Sequence, residues 1–221
     1  LDERLLAGGR DRARGSVHTD SGVLRRQAGR MTIGYMGTRT HDVDLRMIAP
    51  ALRNVCNRHD GRVAVELVGV MTRSETLSLL HGLPCRVIEP GAVYTEYPAF
   101  LPWFVATCRW DIALAPLADT ELNRCKSDIK FLDYAALGAA GLYSRVPAYA
   151  ETVQHGITGL LVDENPDAWE DAIEHLIARP ARAMAMGALA QRYLFGRRVL
   201  AATPGARAWL DALTICHTGS E

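Results

Sequence analysis

The sequence lacks the features that define several large classes of protein. No apolar run approaches the roughly 18–20 residues that span a bilayer. The first six residues, Leu-Asp-Glu-Arg-Leu-Leu, have neither the basic segment nor the apolar core of a signal peptide. Lys plus Arg and Asp plus Glu number 25 each, so the net charge is zero with histidine neutral. Because nucleic-acid-binding proteins usually carry a basic surplus, nucleic acid is not predicted as a partner, whereas a small local site for a diphosphate is compatible with this balance.

Cysteine usage and motif content exclude further classes of site. The five cysteines are an odd number and include no Cys-x-x-Cys pair. A disulfide framework and a zinc cage are therefore not predicted, and a reducing cytoplasm is the expected compartment. The sequence also has no Gly-x-Ser-x-Gly elbow and no paired Cys and His nucleophile, and the first glycine loop is not a Gly-x-Gly-x-x-Gly fingerprint.

Length and composition predict one globular domain with flanking tails. At 221 residues, with 48% hydrophobic and 23% charged side chains, the chain can bury one good core but not two. Residues 8–30 are rich in Gly, Arg and Ser and show no apolar period. Residues 1–30 are therefore predicted to be a poorly ordered connector, and residues 31–221 the ordered domain with C-terminal helices. Because the chain begins without an initiator Met, we expect it to be a fragment of a longer protein.

Short apolar runs alternate with segments of helical period along the ordered part. Strands are predicted at 31–36, 62–70, 84–89, 111–117, 140–144 and 159–163. Helices are predicted at about 44–59, 72–82, 97–108 and 127–137, from Pro166 onward, and at about 181–195 and 204–214. This alternation predicts a doubly wound parallel α/β sheet. Ligands in such a sheet bind beyond the carboxyl ends of the strands, near the point where strand order reverses.

The first candidate site is the loop after the first strand. Gly37 would let the backbone approach a phosphate closely, and Arg39 beyond Thr38 offers a planar fork for it. The alternative is that Gly37 only turns the chain and Arg39 is solvated. The pattern alone leaves both interpretations open.

The second candidate site is the start of the helix predicted from Ser127. The free amides and dipole of a helix start favour an anion, and Lys126 and Lys130 would both reach it. Asp133 lies close to the same helical face and could accept hydrogen bonds from sugar or ribose hydroxyls. The alternative has Ser127 as an N-cap and the two lysines on a solvated face.

Two other groups of residues are interpreted as structural. His41, Asp42 and Asp44 could suggest a metal, but such residues in a loop and at a helix start are more often caps, and no metal is predicted. Four aromatic residues at helical spacing are interpreted as core rather than as a stacking platform. They are Tyr97, Phe100, Trp103 and Phe104.

Four segments together resemble a known family. They are residues 33–45, 110–117, 123–138 and 156–162, the last followed by Asp-Ala-Trp at 167–169. In this order they resemble the C-terminal domain of bacterial GT-B glycosyltransferases that build surface polysaccharides. The resemblance covers about residues 31–195. Its most specific parts are 156–162 and the stretch Asn-Arg-Cys-Lys-Ser-Asp-Ile-Lys-Phe-Leu-Asp-Tyr-Ala-Ala-Leu-Gly at 123–138.

The resemblance implies a Rossmann-like domain that binds a nucleoside diphosphate sugar. A missing N-terminal domain would bear the acceptor, either a glycan or a lipid-linked molecule, and no cofactor or metal is implied. Carried over residue by residue, the diphosphate contacts fall on Gly37, Thr38, Arg39 and Lys126, with Lys130 as a further candidate, and the ribose contact on Asp133. The full-length protein would be cytoplasmic, with peripheral association at the inner face of the membrane as the alternative location.

The sequence departs from the family at one position. Many retaining members have two glutamates eight residues apart, the first of which contacts the donor sugar. Counting back from Asp133 leads to Cys125, which cannot serve as an acid, and Glu121 is the nearby carboxylate that could substitute. The catalytic residue, the anomeric outcome, the base, the sugar and the acceptor therefore stay open.

Two rival functions accompany glycosyl transfer. A nucleotide-sugar 2-epimerase shares the two-domain architecture but needs additional carboxylates and a histidine that converge on the sugar. A non-catalytic nucleotide-binding or interaction domain of the same fold is favoured by Cys125. For the enzyme, we expect that this chain alone does not transfer sugar, because the acceptor-binding half is missing.

Overall fold

A computed structural model of the protein describes residues 29–37, 42–69 and 80–199. Six strands in these ranges form one sheet in the order β3-β2-β1-β4-β5-β6, and every neighbouring pair is parallel. The strands are β1 (Met31–Met36), β2 (Val63–Val68), β3 (Cys85–Ile88), β4 (Ile112–Ala115), β5 (Ala140–Ser144) and β6 (Leu160–Val162). Each begins and ends within two residues of its predicted bounds. The predicted doubly wound parallel sheet is therefore confirmed.

Helices connect and flank the strands. They are α1 (Asp42–Arg58), α2 (Tyr97–Thr107), α3 (Glu121–Arg124), α4 (Ile129–Leu137), α5 (Pro147–Ala150), α6 (Pro166–Ile177) and α7 (Pro180–Tyr193). A 3-10 turn at Ala92–Tyr94 precedes α2, and a π-type turn at Leu194–Arg198 follows α7. None of the helices in the described ranges combines the length and the apolarity needed to cross a membrane.

Some predictions fall outside the described ranges. These are the connector up to residue 28, most of the helix predicted at 72–82, and the helix predicted at 204–214. Residues 80–82 are described and form a turn rather than a helix.

Two helical layers cover the two faces of the sheet. On one face, α1 and α6 pack against each other over β1 and β2, with Leu52 and Trp169 fully buried between them and the sheet. On the other face, α2, α4 and α7 enclose a second apolar cluster that includes Phe104 and Phe131. The chain runs from β1 toward β3 in one direction and from β4 toward β6 in the other, and right-handed crossovers therefore place α1 and α4 on opposite faces.

The segment after β4, for which the sequence pattern predicts no helix, contains the short helix α3. The Thr120 hydroxyl accepts from the Asn123 amide and caps the helix. The Asn123 side-chain amide donates to the Ala118 carbonyl at 2.8 Å. These side-chain bonds stabilise one helical turn that is too short to show an apolar period.

Helix α4 begins at Ile129 rather than at Ser127. Asp128 occupies the N-cap position, and its carboxylate accepts from Arg198 at 2.7 and 3.1 Å and from the Thr152 hydroxyl at 2.7 Å. Burial would raise the pKa of Asp128, but the hydrogen bonds from Arg198 and Thr152 outweigh it and lower the pKa below its ordinary value. The helix ends before Gly138, as predicted.

Candidate functional site

The strand order reverses between β1 and β4, and a single side chain joins the carboxyl ends of these two strands. The Tyr134 hydroxyl accepts from the Met36 amide at 3.3 Å and donates to the Leu114 carbonyl at 2.8 Å. The ladder between the strands ends at the pair Tyr35 and Leu114, so Tyr134 replaces the next ladder bond. The reversal point is where a doubly wound sheet opens its ligand crevice.

Gly37 directly follows β1 at this edge and is buried. Its amide donates to the Val68 carbonyl at 3.0 Å, and a Cβ at position 37 would lie 2.8 Å from the Tyr35 hydroxyl. A side chain at position 37 would therefore displace the buried Tyr35 ring. Thr38 and Arg39 lie outside the described residues, so their predicted contact with a diphosphate stays a prediction.

Lys130 in the first turn of α4 is buried, with 6% of its surface exposed. Its Nζ lies 5.1 Å from the centre of the Tyr35 ring and has no hydrogen-bond partner among the described residues. Burial and the neighbouring Lys126 lower the pKa of Lys130 to about 8, against the opposing effects of Asp44 and Asp133. The interpretation of both lysines as a solvated face is therefore wrong for Lys130.

Lys126 and Ser127 lie between α3 and α4. Lys126 is half-buried, and its amide donates to the Asn123 carbonyl at 3.2 Å. Ser127 is exposed and is not the N-cap, because Asp128 occupies that position. Lys126 is close enough to Lys130 to shift its pKa, so the structure brings these two predicted residues together at the start of α4.

The two lysines are also unusual in the whole sequence. Lys126 and Lys130 are the only lysines among the 25 Lys and Arg residues of the chain. The other 23 of these residues are arginines, whose guanidinium keeps its charge under all ordinary conditions. The only two side-chain amines of the sequence thus lie four residues apart. Unlike a guanidinium, a lysine amine can lose its proton when it is buried, and its charge is compact.

Asp133, one turn further along α4, is 1% exposed, and its carboxylate accepts from the Tyr97 hydroxyl at 2.6 Å. Burial raises the pKa of Asp133 to about 7, although the Tyr97 hydrogen bond and Lys130 act in the opposite direction. Tyr97 is 37% exposed, so its interpretation as a core aromatic is wrong. Its position in the first turn of the helix after β3 could have indicated that Tyr97 lies at the ligand-binding edge of the sheet.

Asp44 belongs to α1 and is 3% exposed. Its carboxylate accepts from the Ala118 amide at 3.0 Å and ties the start of α1 to the segment after β4. This bond agrees with the structural interpretation of Asp44, while His41 and the side chain of Asp42 lie outside the described residues. Within the described ranges, no three His, Cys, Asp or Glu side chains are grouped as a metal site.

Glu121 and Cys125 lie at the two ends of the short helix α3. Glu121 is its first residue, Cys125 follows its last residue, and both are exposed. Both side chains are therefore accessible to solvent, and both residues lie within five positions of Lys126 in the sequence. The suggested role of Glu121 toward a donor sugar stays a prediction.

The family of the chain follows from a match over most of this structure. The model of the family described as glycosyl transferases group 1 matches residues 30–179, which include all six strands and the segment with both lysines. The chain belongs to this family. No curated protein sequence matches it.

Solved glycosyltransferase structures share the fold of this group 1 domain. HepE from Anabaena in complex with UDP-glucose matches with a TM-score of 0.64 and 14% identity, over 96% of this chain and 56% of HepE. A glycosyltransferase from Rickettsia africae matches with a TM-score of 0.62 and 14% identity, over 100% of this chain and 53% of the other. The chain thus spans about half the length of these two relatives.

A third structure corresponds to a domain of similar extent. The C-terminal domain of a group 1 glycosyl transferase from Francisella tularensis matches with a TM-score of 0.58 and 16% identity. The match covers 77% of this chain and 87% of that domain. The group 1 chain therefore has the Rossmann-like fold of a GT-B C-terminal domain, as predicted.

Proposed function

We propose that this chain is the donor-binding domain of a cytoplasmic glycosyltransferase. The enzyme would transfer a sugar from a nucleoside diphosphate to a glycan or a lipid-linked acceptor in polysaccharide biosynthesis. The observation that carries the proposal is the pair Lys126 and Lys130 at the start of α4, beside the reversal point of the sheet. The family match and the UDP-glucose that HepE binds support the same ligand class.

The two lysines suit different tasks toward a diphosphate. Lys126 is half-buried and can contact phosphate oxygens directly, together with the first-turn amides of α4 that lack intrahelical partners. Lys130 lies deeper, in a medium of low dielectric constant, where an unpaired charge acts strongly on a neighbouring anion. As the sugar leaves, negative charge grows on the diphosphate, and positive charges fixed in advance stabilise that transition state.

The remaining contacts of the proposed site come from the loop after β1 and from the exposed segment before α4. Gly37, Thr38 and Arg39 would approach the diphosphate from β1, and Ser127 from the start of α4. In this proposal the positive side chains balance the charge of the leaving group, so no metal or other cofactor takes part.

The acceptor would bind to an N-terminal domain that faces this edge of the sheet. HepE and the Rickettsia africae glycosyltransferase are about twice as long as this chain, which supports the presence of a second domain. We expect that the 221-residue chain alone binds the donor but transfers no sugar. Glycosyl transfer catalysed by the purified chain would contradict the assignment of the acceptor site to a separate domain.

Cys125 favours a second candidate function, which is nucleotide binding without turnover. It is exposed and stands where the resemblance places a donor-contacting acid. A full-length protein that binds a nucleoside diphosphate but neither transfers nor hydrolyses its sugar would support this candidate. Activity that depends on Glu121 would support the enzyme.

Calorimetric titration of the chain with UDP, GDP, ADP, dTDP and the four matching nucleosides tests the proposed function. We expect one diphosphate to bind at least tenfold more tightly than its nucleoside, since each charge-assisted contact contributes about 1.5–3 kcal/mol. Absence of binding by all four diphosphates would overturn the proposal.

A further inference from the structure

A hydrogen bond joins the starts of two helices that follow different strands. The hydroxyl of Tyr97, the first residue of α2, donates to the carboxylate of Asp133 on α4 at 2.6 Å. Both helices begin at the carboxyl edge of the sheet, because each follows a parallel strand. The bond therefore lies at the ligand-binding edge and not within the centre of the core.

The two partners of this bond differ in their access to a ligand. Asp133 keeps only 1% of its surface exposed, whereas Tyr97 keeps 37%. In this conformation a ribose hydroxyl could therefore reach Tyr97 but not the Asp133 carboxylate. Moving Tyr97 would break a charge-assisted hydrogen bond and leave a buried carboxylate without that partner, which is costly.

Tyr97 is itself equipped to receive a ribose hydroxyl. Its single hydroxyl proton is donated to Asp133, so both lone pairs of its oxygen can accept. No other hydrogen bond engages this oxygen among the described residues. The carboxylate behind it makes the phenol oxygen a stronger acceptor, since hydrogen bonds in a chain polarise one another.

We propose that Tyr97 is the residue that contacts the ribose of the nucleotide, and that Asp133 acts as a positioning residue that fixes the Tyr97 hydroxyl. The inference rests on the proposed function and sharpens it. It moves the ribose contact from a buried carboxylate to an exposed phenol. A site of this kind discriminates strongly against a ligand that lacks the hydroxyl, because the polar partner is then left unpaired.

The experiment compares three variants on the tightest-binding nucleoside diphosphate and its 2′-deoxy and 3′-deoxy forms. Tyr97→Phe should weaken the ribonucleotide about tenfold and abolish the preference over one deoxy form. Asp133→Asn should change affinity less than about threefold, because the amide oxygen still accepts from Tyr97. Tyr94→Phe is the matched control, since Tyr94 is equally exposed but stacks on Trp103, and it should change nothing.

Three results would overturn the inference and leave the proposed function intact. The first is a large loss of affinity in Asp133→Asn with none in Tyr97→Phe, which would assign the contact to Asp133 itself. The second is equal affinity of the wild-type chain for ribonucleotide and both deoxy forms. The third is no response of the Tyr97 ¹³Cζ resonance of the wild-type chain to the ribonucleotide, a measurement that does not depend on the folding of a variant. Failure of every diphosphate to bind would instead contradict the proposed function, and this inference with it.

Discussion

The Nζ of Lys130 lies 5.1 Å from the centre of the Tyr35 ring, where β1 ends. The ring face attracts the ammonium, but a cation–π contact contributes only about 0.5–2 kcal/mol and does not replace hydrogen bonds lost on burial. An arrangement that is costly in the free protein is typical of a site that a ligand completes. The buried cation of Lys130 therefore supports the proposal that an anion binds at the reversal point of the sheet.

Stability should depend on pH through two buried groups of α4. The folded-state pKa of Asp133 is about 7 against an ordinary 3.8, so between these values the folded state holds more protons and stability falls as pH rises. The folded-state pKa of Lys130 is about 8 against an ordinary 10.5, so between these values the unfolded state holds more protons and stability rises with pH. Urea unfolding should show a minimum of stability between about pH 7 and pH 8.

One substitution at each residue separates the contribution of Asp133 below pH 7 from the contribution of Lys130 above pH 8. Asp133→Asn should flatten the fall below pH 7 and keep the rise above pH 8, while Lys130→Met should do the reverse. A profile that neither substitution changes would show that the two groups titrate in the folded protein as they do in water.

Gly69 should tolerate no side chain. Its φ is +107°, and a Cβ there would lie 2.0 Å from the Gly37 carbonyl oxygen. Gly69→Ala should therefore cost at least about 2 kcal/mol of unfolding free energy and disturb the end of β1. Gly61→Ala is the control, because Gly61 also has a positive φ, +72°, but nothing lies within 4 Å of a Cβ there, and we expect a loss of about 1 kcal/mol. Equal losses of unfolding free energy in the two variants would show that β1 and β2 can move apart at Gly37 and Gly69 without a measurable cost.

Arg198 should contribute to stability through Asp128. Its guanidinium makes two hydrogen bonds to the half-buried carboxylate at the N-cap of α4, and Arg198→Ala would remove both. We expect a loss of about 2 kcal/mol in chemical denaturation, because a half-buried charge would lose its main partner. Arg197→Ala removes an exposed neighbour and should cost less than about 0.5 kcal/mol. A small effect of both substitutions would contradict the role given to Arg198.

The layout of the fold could be predicted from the sequence because local patterns determine it. Strand β5 is buried along its whole length, and the apolar run at 140–144 predicts its bounds without error. The amphipathic face of α1 and the proline at the start of α6 likewise report local preferences. Such signals need no knowledge of distant partners.

The features that were predicted wrongly from the sequence depend on contacts between residues that are far apart in the sequence. The start of α4 shifts to Ile129 because Asp128 pairs with Arg198, 70 residues later. Tyr97 lies outside the core because its hydroxyl donates to Asp133, 36 residues away in the sequence. The spacing of apolar residues carries no information on such a pairing. The position of Lys126 and Lys130 at the start of a helix could be predicted from the sequence, but the burial of Lys130 beside Tyr35 requires the packed structure.

Lys126 should be essential for binding the diphosphate and irrelevant to the nucleoside. Lys126→Ala should weaken the diphosphate by roughly ten- to a hundredfold, and so should Arg39→Ala, as expected for loss of one charge-assisted contact. Affinity for the nucleoside should change by less than about twofold. Arg109→Ala is the control, since Arg109 is an exposed cation after α2 whose guanidinium donates to the backbone carbonyls of Val105 and Cys108. Similar losses in this variant would indicate attraction by overall charge rather than a defined site.

The most direct test of the central claim uses the fact that the chain contains only two lysines. Labelling with ¹³Cε-lysine gives one NMR signal for Lys126 and one for Lys130, each of which reports its own protonation. Saturation with the nucleoside diphosphate should shift both signals and raise the pKa of Lys130 above about 8, because a nearby anion favours the ammonium form. The matching nucleoside should leave both signals in place. Binding of the diphosphate that moves neither lysine signal would show that the diphosphate site lies elsewhere in the molecule.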